Sequence, residues 1–272
     1  MALQAAHVDV ATLFPQTVES RIAAPAVAAA KPIVLAQASY AIVPASALQP
    51  VAPEFPTVTP QDQVEEVALR VRSSVPAHLY PYFDVFLYVS KAASGPWAQH
   101  MYVFHKDPSG QLAFEESFPV STGREMREKY FTTTPTGLFE LDPNRFDRRH
   151  FSRRWHGAPM PWAMFWNYNL HGHMTGIALH SGIGHVADLG RRASGGCVRM
   201  PPEKAEMLFK RFQAEERGTV PVFAYDPLRD TTSVDGVMEA DAQGNPILAS
   251  GYRVLLLVQD YPGGPTYVAS LS

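Results

Sequence analysis

The chain has 272 residues, 46% hydrophobic and 18% charged, with a formal net charge of −3; this supplies enough apolar material for a sizeable core and excludes a disordered chain. The acidic balance excludes the global basic field that drives non-specific nucleic-acid binding, so any recognition of anions must be local. One cysteine, Cys197, excludes an internal disulfide framework and any zinc site needing two thiolates, and no apolar run reaches the roughly 20 residues of a bilayer-spanning helix.

Residues 1–60 hold eight prolines and sixteen alanines but only five charged residues. Such a composition sustains neither helix nor ladder for long, and residues 1–58 read as an extended Ala/Pro-rich leader or tether. The first residues lack the basic start and long apolar stretch of a secretory signal. An N-terminal helix is expected over 59–77, with Thr59 as its cap and Pro60 as its first helical residue. Val64, Val67, Ala68 and Val71 recur at helical spacing on one face.

From Tyr82 to about Asn169 the period becomes two. The segments "YFDVFLYVS", "HMYVFHK", "LAFEESFPVS", "TGLFELD" and "WAMFWNYNL" read as strands, mostly antiparallel, separated by turns such as "KDPSGQ" and "ASGP". "TGIALH" is a short strand that delivers His180 at its end, with a glycine-rich loop directly after it. After Cys197, Ala205, Leu208, Phe209 and Phe212 repeat helical spacing behind Pro201 and Pro202, and Gly218 is the expected stop. "TVPVFAY" and "YRVLLLVQD" are further strands. The expected organisation is mainly β with helices (α+β): a main domain over 78–226 and a C-terminal extension with one strand over 227–272.

The sole cysteine lies in "HSGIGHVADLGRRASGGCVRM", seventeen residues after His180. A nucleophilic thiolate needs a base or positive field, donors for an oxyanion, and room for a carbonyl to approach. His180 is the candidate base. Gly195 and Gly196 allow close backbone approach and are expected to leave N–H groups near Cys197 for an oxyanion, while the following helix is expected to lower the thiol pKa through its dipole. Taken singly, a lone Cys reads as a small buried hydrophobe and a lone His as a structural residue; the Ser-Gly-Gly before the thiol and the Arg after it favour chemistry.

This stretch, with "STG" at 121–123 and "TPTGLFEL" at 134–141, resembles the L,D-transpeptidases of the YkuD (ErfK/YbiS) family. The family signature is a His, a spacer, then Ser/Thr-His-Gly-Cys, a hydrophobic residue, and Arg or Asn. The resemblance covers roughly Tyr82 to Tyr225. It implies a YkuD-type mixed β-sandwich catalytic domain with Cys197 as nucleophile, His180 as its base, and Ser181 orienting the imidazole through its backbone. It further implies that Gly196 is the signature glycine, that Ser194 takes the Ser/Thr position beside the substrate, and that Arg199 holds the loop or a substrate carboxylate. Gly195 departs from it, standing where the signature has a second histidine; His185 is the nearest substitute and reads first as a solvent-facing residue.

The implied reaction is peptidoglycan transpeptidation in the periplasm or bacterial cell envelope. The cysteine takes the acyl group of a donor stem at its diaminopimelate–D-Ala bond, and a second stem's amine receives it. Hydrolysis or attachment of a protein to the wall are alternatives through the same thioester. Peptidoglycan stem peptides are the implied partners, no nucleic acid is expected, no metal or organic cofactor is required, and a monomer is expected. Such stems carry several carboxylates, and five arginines between Arg145 and Arg154 read equally as a cleft charge or as a solvated loop. Trp162, with Trp155 as the alternative, is expected to wall the substrate channel. Two readings lie outside this chemistry: a metallohydrolase using His171 and His173, which lacks a His-Glu-x-x-His and an evident third ligand, and a non-catalytic peptidoglycan-binding module.

Overall fold

The computed structural model describes residues 59–264, so the leader assigned to 1–58 lies outside the described residues. Helix α1 (Gln61–Ser74) is followed by strands β1 (Val85–Ser90), β2 (His100–Lys106), β3 (Leu112–Pro119), β4 (Gly137–Ser152) and β5 (Ala158–Trp166). After the two-residue strands β6 (Asn169–Leu170) and β7 (His173–Met174) come β8 (Ala178–Ser181), β9 (Val198–Met200), helix α2 (Pro202–Glu215) and β10 (Arg217–Pro221). The chain continues through β11 (Tyr225–Asp226), β12 (Thr231–Thr232), β13 (Leu248–Tyr252) and β14 (Val254–Gln259). This is the expected strand-rich α+β fold, built on an eight-stranded sheet in the order β3-β2-β1-β14-β4-β5-β8-β9. Its pairings are antiparallel except β1 with β14 and β8 with β9.

The central strands are apolar on both faces because both faces are covered. Along β1, Val85, Leu87 and Val89 enter a core shared with Ala205, Leu208, Phe209 and Phe212 of α2. Phe86 and Tyr88 enter a second core containing Val64, Val67, Ala68 and Val71 of α1. β14 divides the same way, Val254, Leu256 and Val258 toward α2, Leu255 and Leu257 toward α1. These alternations pack the expected N-terminal helix and the strand of the C-terminal extension into the same cores as β1. α1 walls the second core, and β14 sits at the centre of the sheet, because β1 and β4 would otherwise each expose an edge of unpaired backbone.

Three local expectations are corrected. Pro60 is the cap of α1, with ψ 141° keeping it outside the helix, and the Thr59 hydroxyl bonds to Ser117 instead. Gly218 does not stop α2, which ends at Glu215 with Glu216 as its cap; Gly218 lies in β10, where a Cβ would meet the Arg253 side chain at 2.6 Å. The arginine segment is strand up to Ser152, where β4 runs in register with β5, and only Arg153 and Arg154 lie in the turn that follows. No described helix is long and apolar enough to cross a membrane.

Candidate active site

The parallel pair β8–β9 places the two candidate catalytic side chains. Its register sets Leu179 against Val198, His180 against Arg199 and Ser181 against Met200. Because side chains alternate along a strand, His180 and Arg199 share a face with Ala178 and with Cys197, the residue directly before β9. Leu179, Val198 and Met200 point the other way, into the core under α2. Cys197 is half-buried and packs against Met160, Ala163, Phe165 and Ala178. Its thiol lies 3.6 Å from the Gly176 carbonyl, to which it donates.

The expected dipole effect of α2 on this thiol is not found. β9 intervenes, which at roughly 3.3 Å per residue puts the helix start about a strand's length away, beyond the first turn over which a dipole acts. Burial instead pushes the Cys197 thiol up to about 11, with the Ala178 amide and the Arg199 charge pulling the other way.

His180 is buried, and its Nδ1 donates to the Ser181 carbonyl at 2.8 Å. A carbonyl only accepts, so this bond assigns the neutral ring's proton to Nδ1 and leaves Nε2 as the acceptor. Burial pulls the imidazole down to about 3, and the nearby charges of Arg199, His185 and His150 add to that direction. The resting pair is therefore a neutral imidazole and a neutral thiol.

The cysteine loop is held by two strands of chain that the sequence marks only as short motifs. The Thr134 hydroxyl accepts the Gly123 amide at 2.8 Å and donates to the Gly196 carbonyl at 2.8 Å. Gly196 sits at φ +111°, and a Cβ there would lie 2.9 Å from the Phe131 carbonyl. Its N–H donates to the Ser194 hydroxyl at 3.1 Å, so it is not the spare oxyanion donor expected of it. Ser194 is fully buried, and its hydroxyl also bonds to the Cys197 carbonyl. That corrects its assignment to substrate binding: the side chain folds the loop and is closed to solvent. Below this loop the buried Lys91 donates to the Thr134 carbonyl at 2.8 Å and pairs with Glu125, which Arg192 also holds at 3.0 Å.

Arg199 ties the loop from its other end. Its backbone exchanges two 2.9 Å bonds with Ser121 of the "STG" motif, and its guanidinium lies 3.8 Å from Asp188. His185 is exposed and bonds Asp188 at 3.1 Å, as a solvent-facing loop residue.

Gly195 and Trp155 explain one another. A Cβ on Gly195 would lie 2.5 Å from two carbons of the Trp155 indole and 2.7 Å from its Nε1. The ring occupies the volume that a side chain at 195 would need. Trp162, the expected wall, packs elsewhere: its ring meets Phe209 of α2 edge-on at 5.3 Å, with the Arg148 guanidinium 4.8 Å from its centre. It belongs to the core on the far side of β8 and β9.

The arginine segment divides in the same manner, with Arg148 on Trp162, Arg145 on Phe165 at 4.2 Å, and Arg154 on Phe131 at 4.8 Å. His171 bonds Asp230 at 2.9 Å on the small four-stranded sheet that also carries His173. Among the described residues no three of His, Cys, Asp and Glu gather as a metal site. Thr134, Lys91 and Glu125 were not singled out from sequence; the "TPTG" motif was the one available signal for Thr134.

Of the comparisons with known proteins, the family match alone bears on this arrangement. No curated protein matches the chain. Among solved structures, that of Bdellovibrio bacteriovorus Bd1075 aligns at 15% identity and a TM-score of 0.32, over 67% of this chain and 50% of the other; the chain thus spans about half of that structure's length. Residues 96–232 match the family described as YkuD, L,D-transpeptidase catalytic domain. That match takes in half of the chain, including β8, β9 and the whole cysteine loop, and the protein accordingly belongs to the YkuD family of L,D-transpeptidase catalytic domains.

Proposed function

We propose that the protein is a peptidoglycan L,D-transpeptidase in which Cys197 is the nucleophile and His180 its general base. One observation supports this reading above others: the β8–β9 register sets both side chains on one face, while the Ser181 carbonyl holds Nδ1 and leaves Nε2 to accept a proton.

In this reading the neutral pair reacts only when substrate is in place. His180 Nε2 takes the thiol proton as sulfur attacks the diaminopimelate carbonyl carbon of the donor stem. The tetrahedral intermediate collapses with cleavage of the C–N bond. The same proton passes from His180 to the departing D-Ala amine, leaving a thioester on Cys197. An amine of a second stem then attacks the thioester carbonyl, loses its proton to His180, and expels the thiolate, which takes that proton back. The Arg199 guanidinium supplies positive potential where negative charge develops. The diaminopimelate amine gives a 3–3 cross-link and a first-position alanine amine a 1–3 cross-link; water in the acceptor's place gives carboxypeptidation, and a protein amine gives wall attachment. On this reading the protein acts in the bacterial envelope, one copy suffices for every step, and no step calls for a metal or organic cofactor.

The test is incubation with purified disaccharide-tetrapeptide and mass spectrometry of the products. A cross-linked dimer and free D-Ala are expected, with fragmentation locating the bond. Tripeptide alone would move the assignment to a carboxypeptidase. D-Ala release that survives in Cys197→Ala would overturn the mechanism, and binding without any release would leave a non-catalytic module.

A further inference from the structure

The β4–β5 hairpin tip, the segment before β4 and the cysteine loop meet in a stack of two aromatic rings flanked by two guanidiniums. The Arg154 guanidinium lies 4.8 Å from the centre of the Phe131 ring, Phe131 lies 5.9 Å from Trp155, and the Arg124 guanidinium lies 5.7 Å from Trp155. The Trp155 indole in turn rests on Gly195, two residues before the thiol. We propose that Arg124, Phe131, Trp155 and Arg154 form a carboxylate-binding platform beside Cys197, and that Gly195 is glycine so that Trp155 can seat this platform against the nucleophile loop.

Three observations carry the inference. First, both guanidiniums are exposed, and among the described residues neither has a carboxylate within ion-pair distance. Three other cations around the site are committed: Arg192 to Glu125 and Asp260, Arg191 to Asp188, and Lys91 to Glu125. An arginine laid on an aromatic face keeps its planar fork available for a bidentate partner, whereas one already paired does not. Second, the chain as a whole is acidic, with a net charge of −3, so two guanidiniums without a carboxylate partner on the rings that meet the cysteine loop are a local exception to its field. Burial holds the Arg199 guanidinium below its ordinary value, and the Arg124 charge adds to that direction. Third, the hairpin tip is built to hold Trp155 in place. His156 at φ 52° and Gly157 at φ 77° make a tight turn, closed by Gly157 N–H to the Ser152 carbonyl and Ala158 N–H to the Trp155 carbonyl, each at 2.9 Å.

The inference rests on the functional reading above in taking the ligand to be a stem peptide. Such a donor offers two carboxylates near the scissile bond, the terminal one of D-Ala and the side-chain one of diaminopimelate. The platform's chemistry is the same for both, and substrate analogues separate them.

The experiment titrates Cys197→Ala protein, which cannot turn over, with three disaccharide-tetrapeptides: the free acid, the D-Ala carboxamide and the diaminopimelate side-chain carboxamide. In that background Arg124→Gln with Arg154→Gln is expected to weaken binding of the free acid about 10-fold, as for loss of charge-assisted hydrogen bonds. The same change should cost less than about 2-fold on whichever carboxamide removes the contacted charge. Trp155→Ala should lose as much as the double arginine change, and Trp155→Phe should recover most of it. Equal losses on all three ligands, or no loss on the free acid, would overturn the platform. The wild-type protein is assayed alongside for D-Ala release: binding that depends on both arginines without release overturns the reaction and leaves the platform standing, while release with charge-indifferent binding does the reverse.

Discussion

The Thr134 hydroxyl donates to the Gly196 carbonyl at 2.8 Å while accepting the Gly123 amide, so one side chain joins segments 62 residues apart at the cysteine loop. Both partners are buried, and no water can replace the bonds. Thr134→Val keeps the shape but orphans a buried N–H and a buried carbonyl, which costs about 1–3 kcal/mol for each group left unpaired. A lower unfolding midpoint and at least a roughly 10-fold slower acylation are expected. Thr134→Ser, which retains the hydroxyl, should restore most of both, as read by thermal melting and by D-Ala release.

His180 is held by Ser181 so that Nε2 remains the acceptor, and this predicts a kinetic phenotype and not a folding one. His180→Gln is expected to slow acylation by about 10²- to 10⁴-fold, the usual worth of general-base help. The variant should bind tetrapeptide as the parent does. An unchanged acylation rate measured by stopped-flow or quenched mass spectrometry would remove His180 from the mechanism.

Introducing the signature histidine at position 195 tests the fit with Trp155. Gly195→His drives a side chain into the indole, where even a Cβ would be 2.5 Å from ring carbons, and overpacking of this kind costs about 1–3 kcal/mol. Combining it with Trp155→Ala vacates the volume, so the double variant should melt above Gly195→His alone. If the single variant melts with the wild type, the ring is not fixed over Gly195.

The pH dependence of the resting pair has a definite sign. Burial raises the folded-state thiol to about 11, so the fold favours the neutral form; stability is intact below the unfolded thiol value and falls as pH rises toward 11. Burial lowers His180 to about 3, so its contribution is intact above about 6.5 and is lost as pH falls toward 3. Alkylation of the free enzyme by iodoacetamide should therefore be slow at pH 7 and climb with each pH step above 8, without the neutral-pH plateau of a preformed thiolate–imidazolium pair.

Glu140 lies buried in β4 between β14 and β5, receiving the Phe223 amide at 3.4 Å and the Asn167 side chain at 3.5 Å. Burial raises its carboxyl to about 8. A raised carboxylate stabilises the fold while protonated, and that stability is present below the unfolded value near 4.3 and declines as pH rises to 8. Glu140→Gln should flatten the melting-temperature profile between pH 5 and 8; an unchanged slope would assign that dependence to other groups.

The sequence by itself determined what local pattern and composition can carry. Period two marked β1 to β5, period 3.6 marked the buried faces of both helices, and a lone thiol behind Ser-Gly-Gly with His180 upstream marked the loop that matters. These signals depend only on neighbours along the chain. Only the tertiary structure decided that β14 closes the middle of the sheet, that β9 separates Cys197 from the helix dipole, and that Ser194 is sealed inside the loop. It also set Trp155 against Gly195 and Trp162 against Phe209, because two tryptophans seven residues apart look alike until β4 and β5 pair and α2 takes one of them into its core. Pairing across long stretches of sequence set which face each residue occupies, and face is what separates a residue beside the thiol from one behind it.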